Sequence, residues 1–477
     1  MSVKKNFIYS CILTVSNYIF PLITFPYVSR VLGVTRMGTC SFVDSIINYY
    51  ILFAMMGIST VGIREIAGSN NNSQKQSKIF SSLFTLNAIS TLVMLLLLLI
   101  SIEIIPQFSE NRKLLYIGAS KLIGNLFLVE WYFKGTENFK YITKRSIAVK
   151  TVYVLLVLLL VKEPEDYYIY FSLLTGMVVF NAFINFPYAC SKVKLRFHEL
   201  CMGQYIKPFL IMGSYMLLTS MYTSFNVVYL GMTSGDTEVG YYATSAKLFH
   251  IILAVYTAFT GVMLPRMSAL YSENRIDEFK KMIRKSTTAL VTLSVPAVIM
   301  TTLLAPEIVY TLSGPGYEGA YTPARIIMPL IFIIGYEQIL VLQILMPTKK
   351  DKSVLRNSIL GATVGVLLNI LLVQRLGATG SAIVWVASEI TVLLSAQIIV
   401  SKKFSLHFPF IATIKNIIFY IPSIALIILL KRYGCDSNLY NIALGSLIIF
   451  INAIIVLKYT QPQIMGTIIG KFNKRKN

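Results

Sequence analysis

The chain is poor in charged side chains, and this deficit excludes a soluble globular protein. Asp, Glu, Lys and Arg make up only 13% of its 477 residues, whereas soluble domains carry about 25%. Hydrophobic residues account for 55%, and the mean hydropathy is +0.67. Because so few charges cannot cover the surface of so long a chain, we predict that its solvent is lipid.

Histidine and cysteine are also scarce. The three histidines fall in different segments, and the sequence contains no CxxC pair and no Cys/His metal-ligand spacing. We therefore expect no metal and no cofactor. The cysteines are expected to be packed thiols: Cys11, Cys40, Cys190, Cys201 and Cys435. The segments between apolar stretches carry no paired carboxylates and no Ser/His/Asp set, which argues against an enzyme.

Acidic residues are half as frequent as basic ones, 21 against 43. The net charge of +22 is spread over eight short segments rather than clustered on one face, so nucleic acid is not an expected partner. Membrane lipids are expected partners, because 31 of the Lys and Arg residues lie at one end of the apolar stretches and 9 at the other. By the positive-inside rule, the end with 31 basic residues is predicted to be cytoplasmic, and so are both chain termini.

Apolar windows predict an all-α membrane protein with about fourteen spanning helices. A window of about 20 apolar residues spans a bilayer. Division at charged and Gly/Pro-rich breaks gives helices at 6–29, 38–63, 79–102, 113–133, 146–161, 167–190, 208–232, 240–264, 287–305, 325–346, 357–374, 379–400, 411–430 and 438–457. A wrong helix count would scramble the alternation of basic segments, so the charge pattern supports this one.

A repeat relates the two halves of the chain. The segment "RVLGVTRMGTCSF" in the first half has a partner, "VYLGMTSGDTEVGYYATS", in the second. Gly33 aligns with Gly231 at an offset of 198, and after four inserted residues Gly38 aligns with Gly240 at an offset of 202. Six predicted helices separate the copies. Since an even number preserves orientation, the two repeats are predicted to be parallel.

Two parallel six-helix lobes are typical of transporters in which a substrate site between the lobes is exposed alternately to each side. We predict an N-terminal lobe at 1–200 and a C-terminal lobe at 201–405. Two additional transmembrane helices and a basic cytoplasmic tail follow at 406–477. In the first helix Pro21 and Pro26 each remove a backbone hydrogen bond. We interpret them as a hinge, with a static kink as the alternative.

The stretch "EWYFKGTENFKYITKRS", residues 130–146, gathers five aromatic and four basic residues between the fourth and fifth helices. We predict a cytoplasmic turn with Trp131, Tyr132 and Phe133 at the level of the lipid headgroups. Its basic side chains would face anionic lipid. Gly135 is expected to permit a sharp turn.

Together with "PLITFPYVSRVLG", "GISTVGIREIA" and "LLAPEIVYTLSGPGY", this stretch resembles the bacterial polysaccharide transporter family. These are the Wzx-type polysaccharide and O-antigen flippases of the multidrug/oligosaccharidyl-lipid/polysaccharide exporter superfamily. The resemblance covers residues 5–400, and its most specific part is the pattern aromatic-Gly-Glu-Phe-Thr-Arg. Lys134 departs from it, because glutamine is commoner there.

The resemblance implies a V-shaped protein of the bacterial inner membrane. It would translocate an undecaprenyl-pyrophosphate-linked oligosaccharide, an O-antigen or capsule repeat unit, from the cytoplasmic to the outer leaflet by alternating access. Its partners would be this lipid-linked oligosaccharide, membrane lipids, and the polysaccharide polymerase with its chain-length machinery.

Charges within predicted helices are candidate functional residues, because each costs about 2.5–3.5 kcal/mol at the bilayer centre. A diphosphate headgroup needs a cationic passage, so we assign substrate binding to four residues: Arg30, Lys121, Lys150 and Lys247. Three acidic residues are candidates for binding a coupling proton or sodium ion: Asp44, Glu337 and Glu389. Ion pairs that only hold the packing are the alternative interpretation.

Position along the helices predicts the depth of these charges. Lys121 and Lys150 fall near the midplane in the first lobe, as do Glu337 and Glu389 in the second. Asp44 and Lys247 are placed about 10 Å inside the outer face, at 1.5 Å per residue.

Three other functions remain open. A multidrug cation exporter of the same superfamily would be expected to carry an acidic site in the first lobe, but the first helix has no Asp or Glu. A peptidoglycan-precursor flippase shares the implied fold and the anionic cargo. A polymerase or ligase for lipid-linked sugars would need a catalytic loop, and none of the short connecting segments resembles one.

Overall fold

The computed structural model describes residues 3–69, 72–433 and 437–460, and within these ranges the chain contains helices and no strand. The prediction of an all-α membrane protein is confirmed. The basic tail beyond residue 460 and Cys435 lie outside the described residues. Among the other cysteines, Cys40 is buried and Cys11, Cys190 and Cys201 are half-buried.

Nineteen α-helices follow one another in the described ranges. The first ten are α1 (Val3–Met55), α2 (Ile58–Ala67), α3 (Ser73–Ile104), α4 (Pro106–Glu110), α5 (Arg112–Leu128), α6 (Glu130–Gly135), α7 (Phe139–Leu160), α8 (Tyr167–Cys190), α9 (Gly203–Thr223) and α10 (Phe225–Ser234). The others are α11 (Asp236–Ser272), α12 (Ile276–Leu303), α13 (Ala305–Ser313), α14 (Tyr321–Ile327), α15 (Leu330–Gln338), α16 (Asp351–Leu368), α17 (Gln374–Phe404), α18 (Phe410–Tyr433) and α19 (Asn438–Thr460). π-Helical turns at Ile339–Leu345 and Asn369–Val373 follow α15 and α16.

Nine helical stretches among the described residues are long and apolar enough to cross a membrane. The two longest, Ile8–Met55 and Asp351–Phe404, contain 48 and 54 residues. Each bends at a glycine with a left-handed φ, +70° at Gly33 and +53° at Gly377, and so covers two of the predicted helices. The number of fourteen membrane crossings stays a prediction.

The chain divides into two compact units. The first contains Met1–Ala243 with Gly365–Ser381, and the second contains Thr244–Val364 with Ala382–Asn477. The lobes predicted at 1–200 and 201–405 were defined by the sequence repeat, and they stay a prediction.

The repeat alignment around the first glycine kink was wrong. In the second copy the left-handed residue is Gly235, with φ +86°, whereas Gly231 lies inside α10. A chain that reverses between two helices needs the positive φ that glycine adopts without strain. Gly33 therefore corresponds to Gly235, and the offset of 202 holds through the turn.

The two repeated turns contact each other within the first unit. Thr35 and Thr237, at this same offset, are joined by a hydrogen bond of 2.9 Å between their hydroxyl oxygens. A Cβ atom on Gly38 would overlap the carbonyl oxygen of Asp236, and one on Gly240 would overlap that of Val34. The two glycines thus make equivalent close approaches, each to the backbone of the other turn.

Both prolines of the first helix lie in helical backbone. Within α1 only Gly33 departs from helical dihedral angles, so the chain does not break at Pro21 or Pro26. Thr24 and Ser29 donate hydrogen bonds to the carbonyls of Phe20 and Phe25, at 3.1 and 2.7 Å. Whether the two prolines act as a hinge stays a prediction.

The aromatic stretch is packed inside the protein, contrary to the predicted position among headgroups. Trp131, Tyr132 and Phe133 are 2%, 4% and 1% exposed and form a core with residues of α2 and α3. They belong to α6, and a Cβ on Gly135 would lie 2.8 Å from Cβ of Ile66. Gly135 therefore permits close helix packing; the turn that follows has its left-handed residue at Glu137, with φ +55°.

Candidate functional site

Lys121 is held in a polar network in the first unit. Its Nζ donates to Oδ1 of Asp44 at 2.5 Å and to Oδ1 of Asn48 at 2.9 Å. Asn48 in turn donates to the second oxygen of Asp44, at 3.0 Å. Asp44 and Asn48 are four residues apart on α1, so both face Lys121 on α5. The charge of Lys121 is therefore offset by a carboxylate.

The side chains of Asp44 and Lys121 meet, and their predicted depths in the membrane stay a prediction. The second helix begins directly after Gly33, earlier than the predicted start at residue 38. Asp44 is eleven residues past the kink, which corresponds to about 16 Å of helix.

Lys150, halfway along α7, has a different environment. Its Nζ donates to Oδ1 of Asn17 at 2.5 Å and to Oγ of Ser16 at 3.2 Å, and lies 5.9 Å from the centre of the Phe20 ring. All of these partners are neutral. Among the described residues Lys150 forms no ion pair, so its charge is not cancelled by a carboxylate at contact distance.

An apolar cavity adjoins Lys150. It has a volume of about 360 Å³, and its lining includes Ser16 and Phe20, which also contact the lysine. Ile12, Val15 and Ile19 supply most of the remaining wall from α1. A cation and a hydrocarbon-lined space thus lie side by side in the first unit.

The other two predicted cations lie elsewhere on the repeated hairpins. Arg30 is exposed and precedes the Gly33 kink by three residues. Lys247 is half-buried on α11, twelve residues past Gly235, and belongs to the second unit. Substrate binding by these residues stays a prediction.

The second unit brings two predicted acidic residues together. Glu337, on α15, and Glu389, on α17, are neighbours whose carboxyl groups interact. Trp385 donates its indole N–H to Oε1 of Glu389 at 3.1 Å, and Glu389 is 3% exposed.

Several polar partners were missed at the sequence level. Asn48, Asn17 and Ser16 are uncharged, so a search for intramembrane charge passes over them. The ion pairs of Glu130 with Arg145 and Lys134, at 2.8 and 3.3 Å, were also missed. A carboxylate and two basic residues within one short stretch were the available signal.

One acidic residue outside the membrane spans has a shifted pKa. Burial raises the pKa of Asp236, at the first residue of α11, while a hydrogen bond from Thr39 opposes that shift. No group of three His, Cys, Asp or Glu residues in the described part of the chain is arranged to hold a metal ion.

Comparisons with known proteins place these features in a family. The profile of the family described as "Polysaccharide biosynthesis protein" matches residues 3–271, and that of "MatE" matches residues 211–371. Two curated relatives, from Escherichia coli (strain K12) and Shigella dysenteriae, are each named "Putative O-antigen transporter". They are 26% and 25% identical over 400 and 399 residues, which cover 82% of this chain and 94% and 98% of theirs.

Solved structures share the fold. The lipid II flippase MurJ, in an inward closed conformation, has a TM-score of 0.79 at 14% identity and covers 94% of this chain and 99% of its own. A multidrug resistance transporter of the MATE family, in an inward-facing conformation, has a TM-score of 0.59 at 15% identity, covering 81% and 96%. These low identities show the fold alone. The resemblance stated from the sequence motifs is confirmed, and since the first profile spans more than half of the residues, this multi-pass membrane chain belongs to the polysaccharide biosynthesis protein family.

Proposed function

We propose that the chain is a flippase for an undecaprenyl-pyrophosphate-linked oligosaccharide, an O-antigen or capsule repeat unit. It moves this cargo from the cytoplasmic to the outer leaflet of the inner membrane by alternating access. The observation that carries the proposal is the environment of Lys150, an intramembrane lysine whose described partners are all neutral. Such a charge is costly to bury, which makes it a functional residue by default.

The partners of Lys150 favour an anion as the ligand. Asn17 and Ser16 use acceptor oxygens to stabilise the ammonium group, but they do not cancel its charge. The nearby carboxylate of Glu130 is already paired with Arg145 and Lys134. A diphosphate that approaches Lys150 therefore gains a charge interaction that no carboxylate of the protein competes for at contact distance.

The apolar cavity beside Lys150 favours a lipid-linked anion over a soluble one. Hydrocarbon buried there gains about 25 cal/mol per Å² of apolar surface. A polyprenyl chain would fill the apolar cavity while its pyrophosphate binds Lys150, so one ligand contacts both features. The names of the Escherichia coli and Shigella dysenteriae relatives support the same class of cargo.

The remaining predicted residues have auxiliary roles in this proposal. Arg30, Lys121 and Lys247 attract the anion at other depths, which allows it to move on instead of being trapped at one site. The Glu337–Glu389 pair exchanges a proton during the cycle. Asp44 changes how strongly the charge of Lys121 attracts the anion. Bending of α1 at Pro21 and Pro26 accompanies the transition.

Both termini are cytoplasmic in this proposal, and the polymerase and chain-length machinery receive the cargo outside. The orientation has a direct test. Single cysteines replace Thr136, which follows α6, and Thr233, which is exposed near the end of α10, in a cysteine-free background. In intact spheroplasts an impermeant thiol reagent should label the residue-233 variant only. Labelling of the residue-136 variant alone would reverse the orientation.

The function is tested by deleting the gene in its own bacterium. Surface polysaccharide should disappear, and lipid-linked repeat units should accumulate in the inner leaflet. Plasmid-borne wild-type chain and Lys150→Arg should restore export, while Lys150→Met should not. A halt in peptidoglycan synthesis would instead identify a peptidoglycan-precursor flippase, and drug sensitivity with normal polysaccharide would identify a multidrug exporter.

A further inference from the structure

A polar cavity lies at the opposite end of α1 from the glycine kink. Its volume is about 660 Å³, and it is formed where the start of α1, the end of α2, the turn after α6 and the end of α8 meet. This volume lies within the range of about 300–1,000 Å³ that small-molecule sites occupy. By the charge bias of the sequence, this end of the helices is the cytoplasmic one.

The wall of the cavity contains a buried acceptor without a donor. Asn6 is 7% exposed, and its amide N–H donates to Oε2 of Glu137 at 3.0 Å. Its Oδ1 has no hydrogen-bond donor among the described residues. Because this oxygen is buried away from the cavity, Asn6 acts in the wall through the hydrogen bond that it donates to Glu137.

The turn that carries Glu137 is strained in the same place. Glu137 adopts a left-handed φ of +55°, which is uncommon for a residue with a side chain. Such outliers cluster at binding sites, where the surrounding structure holds them. Here the Asn6 hydrogen bond fixes the carboxylate at the wall, so an acceptor is presented to the cavity.

A cation and aromatic side chains complete the lining. Lys192 lies at the cavity with its Nζ 5.5 Å from the ring centre of Tyr188. Tyr132 and Phe133 contribute to the wall. An exposed carboxylate held in place by Asn6, one ammonium group and aromatic side chains together match a polyhydroxylated group that also carries a phosphate. Sugar hydroxyls donate to the Glu137 carboxylate, and the phosphate binds the Lys192 ammonium group.

We infer that this cavity binds the sugar-phosphate headgroup of the lipid-linked substrate before it enters the membrane passage. The cavity itself points to a sugar phosphate; the lipid-linked source rests on the proposed function. A lipid tail alone does not fit, because hydrocarbon would remove water from the Glu137 carboxylate and the Lys192 ammonium group.

Binding is measured on the full chain in nanodiscs by saturation-transfer difference NMR. The probes are the 1-phosphates of glucose, galactose, mannose and N-acetylglucosamine, with inorganic phosphate as a reference. At least one sugar phosphate should saturate, and its apparent Kd should rise at least fivefold in Asn6→Leu and in Lys192→Met. Lys194→Met is the matched control, because Lys194 is exposed on the same segment but is not part of the lining.

The lipid-linked source is tested by competition. Adding the same sugar as its undecaprenyl pyrophosphate to the nanodisc should displace the soluble probe. Displacement that fails would assign the cavity to free sugar phosphates and contradict the inference. Absence of saturation by all four probes, or equal Kd values in both variants and the control, would also overturn it. Loss of surface polysaccharide on deletion and its restoration by the wild-type chain, alongside such a result, would leave the proposed function standing.

Discussion

The two repeated hairpins, around Gly33 and around Gly235, share a backbone and differ in charge. Each turns at a left-handed glycine, and each brings a second glycine, Gly38 or Gly240, against the main chain of the other. These symmetric contacts leave no room for a side chain at either glycine, and they do not depend on the residues further along the helices. The repeat has thus retained its geometry at the turn.

The charges of the two copies have diverged. Asp44 follows Gly33 by eleven residues, whereas Lys247 follows Gly235 by twelve, so similar positions hold opposite signs. Arg30 precedes the first kink by three residues, where the second copy has Met232. The charges of the two units differ as well: Lys121 and Lys150 belong to the first, and the Glu337–Glu389 pair to the second. One backbone plan therefore carries different charges in its two copies.

The largest expected effect comes from breaking the shared backbone. Gly38→Ala and Gly240→Ala each place a Cβ on the opposite main chain, which should cost about 1–3 kcal/mol of stability because backbone yields less than side chains. Thermal unfolding of purified chain in detergent measures this. A helical control is Gly176→Ala in α8, where a Cβ meets nothing within 4 Å and the helix should gain up to about 1 kcal/mol. Equal unfolding temperatures for all three variants would refute the contact.

The next effect separates the two lysines of the first unit. Lys150→Met removes a charge without a carboxylate partner, so stability should hold or rise while surface polysaccharide falls at least tenfold. Lys121→Met strands Asp44, which is 26% exposed, and should cost about 2 kcal/mol, less than a fully buried pair. Adding Asp44→Asn should recover the stability. Unfolding temperature and surface polysaccharide are measured for each variant. If Lys150→Met loses stability but exports normally, Lys150 has a packing role and does not bind the substrate.

The contrast between these lysines was only half visible in the sequence. Apolar windows located both charges inside helices, and positive-inside counting oriented them. However, the partner of Lys121 is 77 residues away, and the helix that carries it starts at a kink of one residue that hydropathy averaging cannot resolve. The neutral partners of Lys150 carry no charge signal at all. Sequence therefore found the cations but not which of them is neutralised.

The predicted position of the aromatic stretch, residues 130–146, was wrong for a different reason. Hydropathy does not distinguish a ring at the lipid headgroups from a ring in a protein core. The informative residues were small ones: a Cβ on Gly62 would overlap Trp131, and Gly135 packs on Ile66. Glycine beside an aromatic cluster can also indicate close helix packing, whereas Gly135 was interpreted as a turn residue and Gly62 is distant in sequence.

The acidic pair of the second unit is tested by replacing each carboxyl group with an amide. Glu337→Gln and Glu389→Gln keep a hydrogen bond but cannot release a proton, so the fold should persist. Transport of lipid-linked oligosaccharide into proteoliposomes should fall about fivefold, equivalent to about 1 kcal/mol, and should lose its response to an imposed pH gradient. Glu307→Gln, in the same unit and paired with Lys431 at 2.8 Å, should lower stability but keep that response. If transport by the wild-type chain does not change with the imposed pH gradient, the proposed proton coupling is wrong.

The smallest expected effect concerns Arg30, whose counterpart in the second hairpin is Met232. A guanidinium group grips phosphate oxygens with two hydrogen bonds, while lysine offers a point charge. Arg30→Lys should therefore reduce surface polysaccharide about twofold, equivalent to about 0.4 kcal/mol. Arg30→Met copies the second hairpin and should reduce it further. Met232→Leu, exposed at the matching position, should change nothing. If Arg30→Met exports normally at equal protein levels, the charge difference between the hairpins begins at Asp44 and Lys247, and Arg30 does not contact the anion.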